Sequence, residues 1–560
     1  MRILKLAAIA ALWVASSSTP LRAQQTVGLF LNNPALASPG YTLFSPIRYT
    51  TTYLIDMQGR LVRAWPATQT PGLSAYLYED GHLLRTANTG SASFATGGAG
   101  GRVQEFDWDG AIVWDYTYST TAVRQHHDVE RMANGDVLMI AWEAKTTAQA
   151  TASGRNPALV TGTGLWLDHV IQVRPTGSTT GTIVWEWHLL DHVVQDFDAT
   201  KLNFGVVADH PERVDFNFAQ SSAADWTHVN GINYDPLKDQ IVLSAHNLNE
   251  IWVIDHSTTT AQAAGHAGGA QGHGGDLLYR WGNPRVYGRG TTADQKLFGQ
   301  HDAQWIREGV PGARHLLVFN NGTTRGWSSV EEIAPPVDAT GAYAAIGAGA
   351  HGPASALWTY SDSPPTDFYA QNISGAERLP NGNTLVCDGP LGTLFEITPT
   401  GQEVWRYVNP VVTSGPMTQG DAIPGGASGQ QNTVFRASRY AADFAGFTGR
   451  DLSPHGTIEI GGTAGVEGFV PGTARVALAP LQPNPSSGHS VARFTLSQSA
   501  PTEILLFDLQ GRLVRRLDAR ERSAGRHEAS LDLRDLATGV YLVAVRTPAG
   551  SAVRRIVKLD

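Results

Sequence analysis

A single cysteine, Cys387, stands among 560 residues, so no disulfide can form within the chain. Its setting, NTLVCDG, reads as a small buried apolar position and not as a reactive thiol. Charge is scarce as well: Asp, Glu, Lys and Arg make up 16 % of the residues and the net charge is −9. With no basic stripe, nucleic acid is not expected as a partner. After the N-terminus no run approaches about 18 consecutive apolar residues, so no transmembrane segment is predicted. The N-terminus itself, MRILKLAAIAALWVASSSTPLRAQQ, has a basic start at Arg2 and Lys5, a short apolar stretch and a small residue before Gln24. That pattern predicts a signal peptide over 1–23 and an exported mature protein, passing through the periplasm to the outer-membrane surface or the medium.

What is abundant is turn chemistry and indole: 60 glycines, 30 prolines and 15 tryptophans. Many short strands joined by tight turns are the expected outcome, in two or three domains. One hairpin pattern recurs six times, beginning with LIDMQGRLVRAW (54–65), EFDWDGAIVWDY (105–116) and IQVRPTGSTTGTIVWEW (171–187). It returns at 251–281, 330–360 and 394–407, each time as two apolar-alternating strands ending on an aromatic residue. A second unit lies between these hairpins, at 75–86, 126–141, 227–245, 300–319 and 374–387, turning at Asn134-Gly135, Asp235-Pro236 and Asn381-Gly382. Two hairpins per repeat give four strands, the content of one propeller blade. The prediction is all-β: a six-bladed β-propeller over 24–444, a Gly- and Thr-rich linker over 445–475, and a small β-sandwich of about seven strands over 476–560. A large two-sheet sandwich of similar strand content does not account for six copies of one hairpin.

Inner strands of a propeller line its channel, so residues at their entry points converge from distant parts of the chain. His127, His228 with Asn230, and His301 begin three consecutive inner units, in equivalent repeat positions. His246 follows Asn230 by one strand-turn-strand and is expected at the same end. His126, next to His127 on an alternating strand, is expected to face the other way and to be structural. Neutral histidine is a nucleophile and protonated histidine a donor, so this set suits transfer of an anionic group such as sulfuryl or phosphoryl. Three histidines also form a catalytic zinc set, which leaves a metal-dependent hydrolase as an alternative. No Gly-rich phosphate loop precedes a helix, so no nucleotide is expected.

The motifs HHDVERMANGDVL, DWTHVNGINYDPLKDQIVLSAHN, LLYRWGNP, FGQHDAQWI and RLPNGNTLVCDGPLGTLFEITPTGQEVWRYVNP, taken in this order, resemble the bacterial aryl-sulfate sulfotransferases over about residues 40–440. The resemblance implies transfer of a sulfuryl group from an aryl sulfate ester to a phenolic acceptor, with no nucleotide sulfate donor. It also implies a ping-pong course through a sulfohistidine, and neither cofactor nor metal. His301 is similar to the histidine that becomes sulfated, His228 and Asn230 to the sulfuryl-binding pair, and His127 to the histidine that assists the phenolic oxygen. The family typically has arginine where His246 stands. Arginine offers a permanent charge and a planar fork, histidine a titratable charge and at most two donors. That departure keeps a second reading open: a surface-displayed propeller that binds a ligand without catalysis. At the C-terminus, NPSSG, LFDLQGRLV, LRDLATGVYLVAV and RRIVKL resemble type IX secretion sorting domains, implying the type IX machinery as a partner; an ordinary accessory sandwich is the alternative.

Two further segments invite weighing. AAGHAGGAQGHGGDLLY (263–279) carries His266, His273 and Asp276 and reads as a flexible loop or a metal loop. The insertion 191–226 carries Phe197, Phe204, Phe216 and Phe218, which either wall an aryl pocket or form a small local core.

Overall fold

Alternating apolar positions and Gly-containing turns produce antiparallel meanders throughout the molecule. The structure, a computed structural model, describes residues 25–559 apart from 161, 163, 219–223, 339–340, 345–348, 427–428, 462–475, 480, 497–498, 509–512 and 548–549. The signal segment predicted over 1–23 and much of the predicted linker lie outside the described residues.

Six sheets repeat one four-strand meander, and their first strands are β1 (Pro71–Leu77), β2 (Val123–Arg131), β3 (Val229–Asp235), β4 (His301–Trp305), β5 (Gly375–Arg378) and β6 (Val434–Tyr440). Neighbouring members of this set touch in sequence from β1 to β6, and β6 touches β1, so the sheets close radially into a β-propeller. Four sheets take all their strands from consecutive sequence, and the sheet begun by β5 adds the N-terminal strand Gly28–Asn32 beside Glu403–Val408. The sixth sheet is divided: β6 pairs antiparallel with Tyr41–Pro46, and the strands Thr52–Ile55 and Leu61–Trp65 complete it. Six outer hairpins but only five inner units are visible in the sequence for this reason.

The tryptophans that end the outer hairpins tie each sheet to the next. Their indole N–H groups donate from Trp65 to the Asp107 carbonyl (3.0 Å), Trp114 to that of Thr180 (3.1 Å) and Trp185 to the Thr258 hydroxyl (3.1 Å). The series continues from Trp281 to the Pro353 carbonyl (2.8 Å), Trp358 to Pro399 (3.0 Å) and Trp405 to Met57 (3.0 Å), which closes the ring. Each indole covers apolar surface while meeting its single hydrogen-bonding need. Radial closure of this kind holds the two ends of the propeller together without a disulfide. Cys387 is buried in the Leu385–Trp405 core, where burial pushes its thiol well above the ordinary range.

The C-terminal region is a separate two-sheet sandwich. A sheet of Val476–Leu478, His489–Leu496 and Gly525–Asp532 faces a sheet of Leu513–Arg522, Ala500–Asp508, Gly539–Thr547 and Gly550–Lys558. Phe494, Leu531, Ile504, Leu506, Val543 and Ile556 fill the space between them. No helix among the described residues is long and apolar enough to cross a membrane.

Candidate active site

The inner strands do not alternate evenly where the histidines lie. In β2 the pairing slips between the Met139 and Ala141 partners, and similar bulges fall between Val229 and Ile232 and between His301 and Gln304. His127 and His228 both take φ +48°, and in β4 it is Asp302, not His301, that takes φ +56°. A left-handed residue in a strand reverses the local direction of its side chain. His127 and His228 are thus equivalent by conformation, whereas His301 stands one residue before the corresponding turn; the expected equivalence of all three is corrected to that extent. The four rings nevertheless form one arc. Centroids are 4.6 Å apart for His127 and His228, 5.3 Å for His228 and His246, and 5.1 Å for His246 and His301. Phe435 on β6 completes the circle, 6.1 Å from His127 and 6.3 Å from His301.

Hydrogen-bond partners fix which nitrogen of each ring is available. Asn321 Nδ2 donates to the carbonyls of Ala370 and Ile373 (2.8 Å each), so its Oδ1 must accept. That oxygen lies 2.8 Å from His301 Nδ1, which therefore carries the proton, leaving a lone pair on Nε2. His246 repeats the logic: Asn247 Nδ2 donates to the Asp225 carbonyl (3.0 Å) and its Oδ1 faces His246 Nδ1 at 2.8 Å. His228 Nδ1 donates to Asp225 Oδ2 at 2.5 Å, and Trp142 Nε1 steadies the other carboxylate oxygen from 3.0 Å.

The expectation for His126 is overturned. The left-handed turn at His127 brings both rings to one side: His126 Nδ1 lies 2.9 Å from His127 Nδ1, and His126 stacks on Trp142 at 3.9 Å. Its Nε2 sits 2.9 Å from Asp168 Oδ1, though out of line for a straight hydrogen bond. A carboxylate at that distance favours the proton on Nε2, so His126 Nδ1 accepts from His127 Nδ1 and the lone pair of His127 moves to Nε2.

Burial, reinforced by the positive charge of neighbouring rings and Arg436, holds His301 and His127 well below the ordinary 6.5. Burial and the nearby His228 bring His246 down to about 4. For His228 burial acts in the same sense, but Asp225 outweighs it and the net shift is upward. Three rings are consequently neutral, with Nε2 lone pairs free, and His228 is the one that holds a second proton most readily.

Asn230 is fully buried beside this arc, its Nδ2 donating to the Gln300 carbonyl (2.9 Å) and its Oδ1 without a partner. Its Nδ2 makes one hydrogen bond of the two it can donate. Beneath the arc, Arg436 on β6 pairs with both Asp128 and Asp302 (3.1 Å to the latter) and donates to the Tyr76 hydroxyl at 2.8 Å. Arg436, Asp302 and Tyr76 line a cavity of about 640 Å³, and none of the four histidines lines it. The phenylalanines of the insertion separate too: Phe216 is wholly buried against Trp226 (5.4 Å) in the core shared by the His127 and His228 sheets, not in a small core of its own, while Phe197 and Phe204 are exposed.

Asn321, Asp225, Asp168, His126 and Arg436 were not apparent as partners in the sequence. Asp225 alone left a nearby signal, three residues before His228 in DWTH. Asn321 follows the return strand Leu316–Asn320 and Arg436 lies on the inner strand β6, and the sequence reveals the register of neither.

Comparison with known proteins adds the family. Among solved structures the chain is similar to a protein of unknown function from Bacteroides caccae, at 10 % identity and TM-score 0.37, over 66 % of this chain and 94 % of that one. It is also similar to virginiamycin B lyase from Staphylococcus aureus, at 10 % identity and TM-score 0.32, over 69 % and 89 %. Likeness this remote says nothing of activity. No curated protein matches the chain significantly. Residues 481–559 match the secretion system C-terminal sorting domain, of the type IX kind, which marks the protein for export to the outer membrane or beyond. Residues 30–417 match the model of the arylsulfotransferase (ASST) family, and the chain belongs to that family of sulfuryl-transferring enzymes.

Proposed function

We infer that the protein moves a sulfuryl group from an aryl sulfate to a phenol through a sulfohistidine at His301 Nε2. The observation that carries this is the Asn321-held tautomer of His301, whose ring stands beside His246 at one end of the arc that continues through His228 to His127. In the first half-reaction the Nε2 lone pair attacks sulfur, the S–O(aryl) bond breaks, and its electron pair leaves on the phenolic oxygen. The imidazolium of His228 gives that oxygen its Nε2 proton, with Asp225 holding the ring. In the second half the neutral His228, or His127 with its own Nε2 lone pair, takes the proton of an incoming phenol. The phenolate attacks sulfur, and the S–N bond breaks to restore His301. Asn230 donates its remaining amide hydrogen to a sulfuryl oxygen. His246 becomes a donor to the same group only once it is protonated, which a bound anion favours. The chain's sorting domain would place this activity at the cell surface.

Brief exposure to a chromogenic aryl sulfate, followed by mass spectrometry of the intact protein and its peptides, tests the reading. A sulfuryl adduct on His301 is expected, discharged by an added phenol. Phenolate release by His301→Ala at the wild-type rate overturns it.

A further inference from the structure

A second group of histidines stands outside the channel arc, in segments that follow or join the outer strands. His192 ends the single 3-10 turn Leu189–His192 that follows the outer strand Thr180–His188 of the His127 sheet. His266 and Asp276 belong to the next sheet, in the glycine-rich connection between Glu250–Asp255 and Tyr279–Trp281. His192 Nδ1 is 2.8 Å and His266 Nδ1 2.9 Å from the same carboxylate oxygen, Asp276 Oδ1. The three ligand atoms fall within 4.8 Å of one another.

The tautomer of His192 decides what this arrangement wants. Its Nε2 lies 2.7 Å from the Ala263 carbonyl, so Nε2 carries a proton. A neutral ring then turns the Nδ1 lone pair directly at a carboxylate oxygen, in a position that is wholly buried. Two acceptors at 2.8 Å need a positive species between or beside them. A carbonyl holding the far nitrogen of a histidine is also how metal-ligating imidazoles are commonly oriented. The surroundings are built to keep the geometry. Trp187 stacks on His192 with planes 2° apart, and its indole donates to the Gly275 carbonyl (2.7 Å), next to Asp276. A Cβ at Gly275 would come within 2.1 Å of the Ala263 carbonyl oxygen and 2.6 Å of His192 Nε2, so only glycine lets the connection close over the ring. His266 is 46 % exposed at its side chain, which leaves one side of the group open to solvent. Arg213 stands 3.9 Å from the other oxygen, Asp276 Oδ2, and leaves Oδ1 to the histidines.

We propose that His192, His266 and Asp276 form a binding site for one divalent transition-metal ion that staples two adjacent propeller sheets. Two imidazoles and one carboxylate are the donors of zinc, cobalt or nickel, with water in the open position. Calcium and magnesium prefer all-oxygen sets. The ion would do for the rim of this sheet pair what a disulfide does elsewhere, in a chain whose one cysteine is buried. The proposal is independent of the sulfuryl chemistry.

The test uses the full-length protein, stripped with a chelator and titrated with ZnCl₂ alone, beside His266→Ala and Asp276→Asn. His266 is exposed, so its alanine variant folds. Because the channel histidines also have lone pairs, the difference between proteins is the readout. Wild type is expected to bind one zinc equivalent more than His266→Ala, with a rise in Tm on zinc addition that both variants lose. Co²⁺ in place of zinc should give visible d–d absorption in wild type that His266→Ala lacks, while aryl-sulfate turnover stays the same in both. Equal zinc stoichiometry and equal Tm response in wild type and His266→Ala overturn the proposal, and so does a wild type that takes up none. Either result would leave His192 as a hydrogen-bonded partner of Asp276 and nothing more.

Discussion

Asn321 Oδ1 lies 2.8 Å from His301 Nδ1, and the same amide spends its hydrogens on the carbonyls of Ala370 and Ile373. The amide cannot flip without losing both bonds, so the proton of His301 is held on the far side of the ring from the channel. Asn321→Leu keeps the volume but removes the acceptor. The lone pair can then sit on either nitrogen, and kcat should fall by about 10- to 100-fold, the usual loss when an orienting partner is removed. KM for the aryl sulfate should change little. A stopped-flow measurement of phenolate burst against adduct formation checks it; an unchanged burst rate would show that the tautomer does not matter.

The pH profile follows from His228. Its pairing with Asp225 raises its affinity for the proton against the pull of burial. Donor turnover requires the cationic ring, so kcat/KM for aryl sulfate should hold near neutrality and decline as pH rises through the raised value. Asp225→Asn removes the opposing charge, burial then acts alone, and the alkaline limb should move to lower pH by about one to three units. The acid limb belongs to His301, which burial keeps neutral well below 6.5 and which should therefore not move. An Asp225→Asn profile superimposable on wild type would sink the assignment of His228 as the acid.

His246 offers a sharper comparison. With Nδ1 on Asn247 and a value of about 4, it presents a lone pair and not a donor at neutral pH. An anion bound there must bring a proton with it, so KM for aryl sulfate should rise with pH between about 5 and 8. His246→Arg supplies a permanent charge, which should flatten that dependence and lower KM at pH 8 by about tenfold, the scale of one charge-assisted hydrogen bond. Parallel KM-against-pH curves for the two proteins would place the sulfuryl group elsewhere.

The distribution of what the sequence reveals has a physical pattern. His127, His228 and His301 were legible because a repeat places like motifs at like heights, and the indoles were legible because every outer hairpin carries one at or near its end. The sixth inner strand, Val434–Tyr440, was not, because it completes a sheet whose other strands lie nearly 400 residues earlier. His126 was misjudged for a local reason: alternation fails at a left-handed residue, and nothing in the letters HH marks His127 as one. Asn321, just past the end of one strand, and Asp168, within the strand Leu165–Gly177, are ordinary polar residues, and only the register of neighbouring strands brings them to the rings. The repeat thus exposes the histidines, while the groups that set their protons depend on tertiary pairing.

Gly98 permits a test of His127 from outside its own strand. His127 donates its backbone N–H to the Gly98 carbonyl at 2.8 Å, so the 89–100 loop lies against the ring. Gly98 has φ +86°, and a Cβ there would fall 1.9 Å from His127 Cε1 and 2.1 Å from Nε2. Gly98→Ala must therefore push the imidazole aside as well as strain the loop. Displacing a reacting group by about an ångström costs roughly 100-fold in rate, and kcat for transfer to a phenol should fall by about that factor. Gly97→Ala is the control, since a Cβ at that position meets nothing within 4 Å and its backbone is unstrained. The two variants share a loop and differ in what they touch, so any general loosening of 89–100 affects both. Thermal melts should find both within a few degrees of wild type. If Gly98→Ala turned over as fast as Gly97→Ala, the Nε2 lone pair of His127 would have no part in the second half-reaction, and proton removal from the phenol would fall to His228 alone.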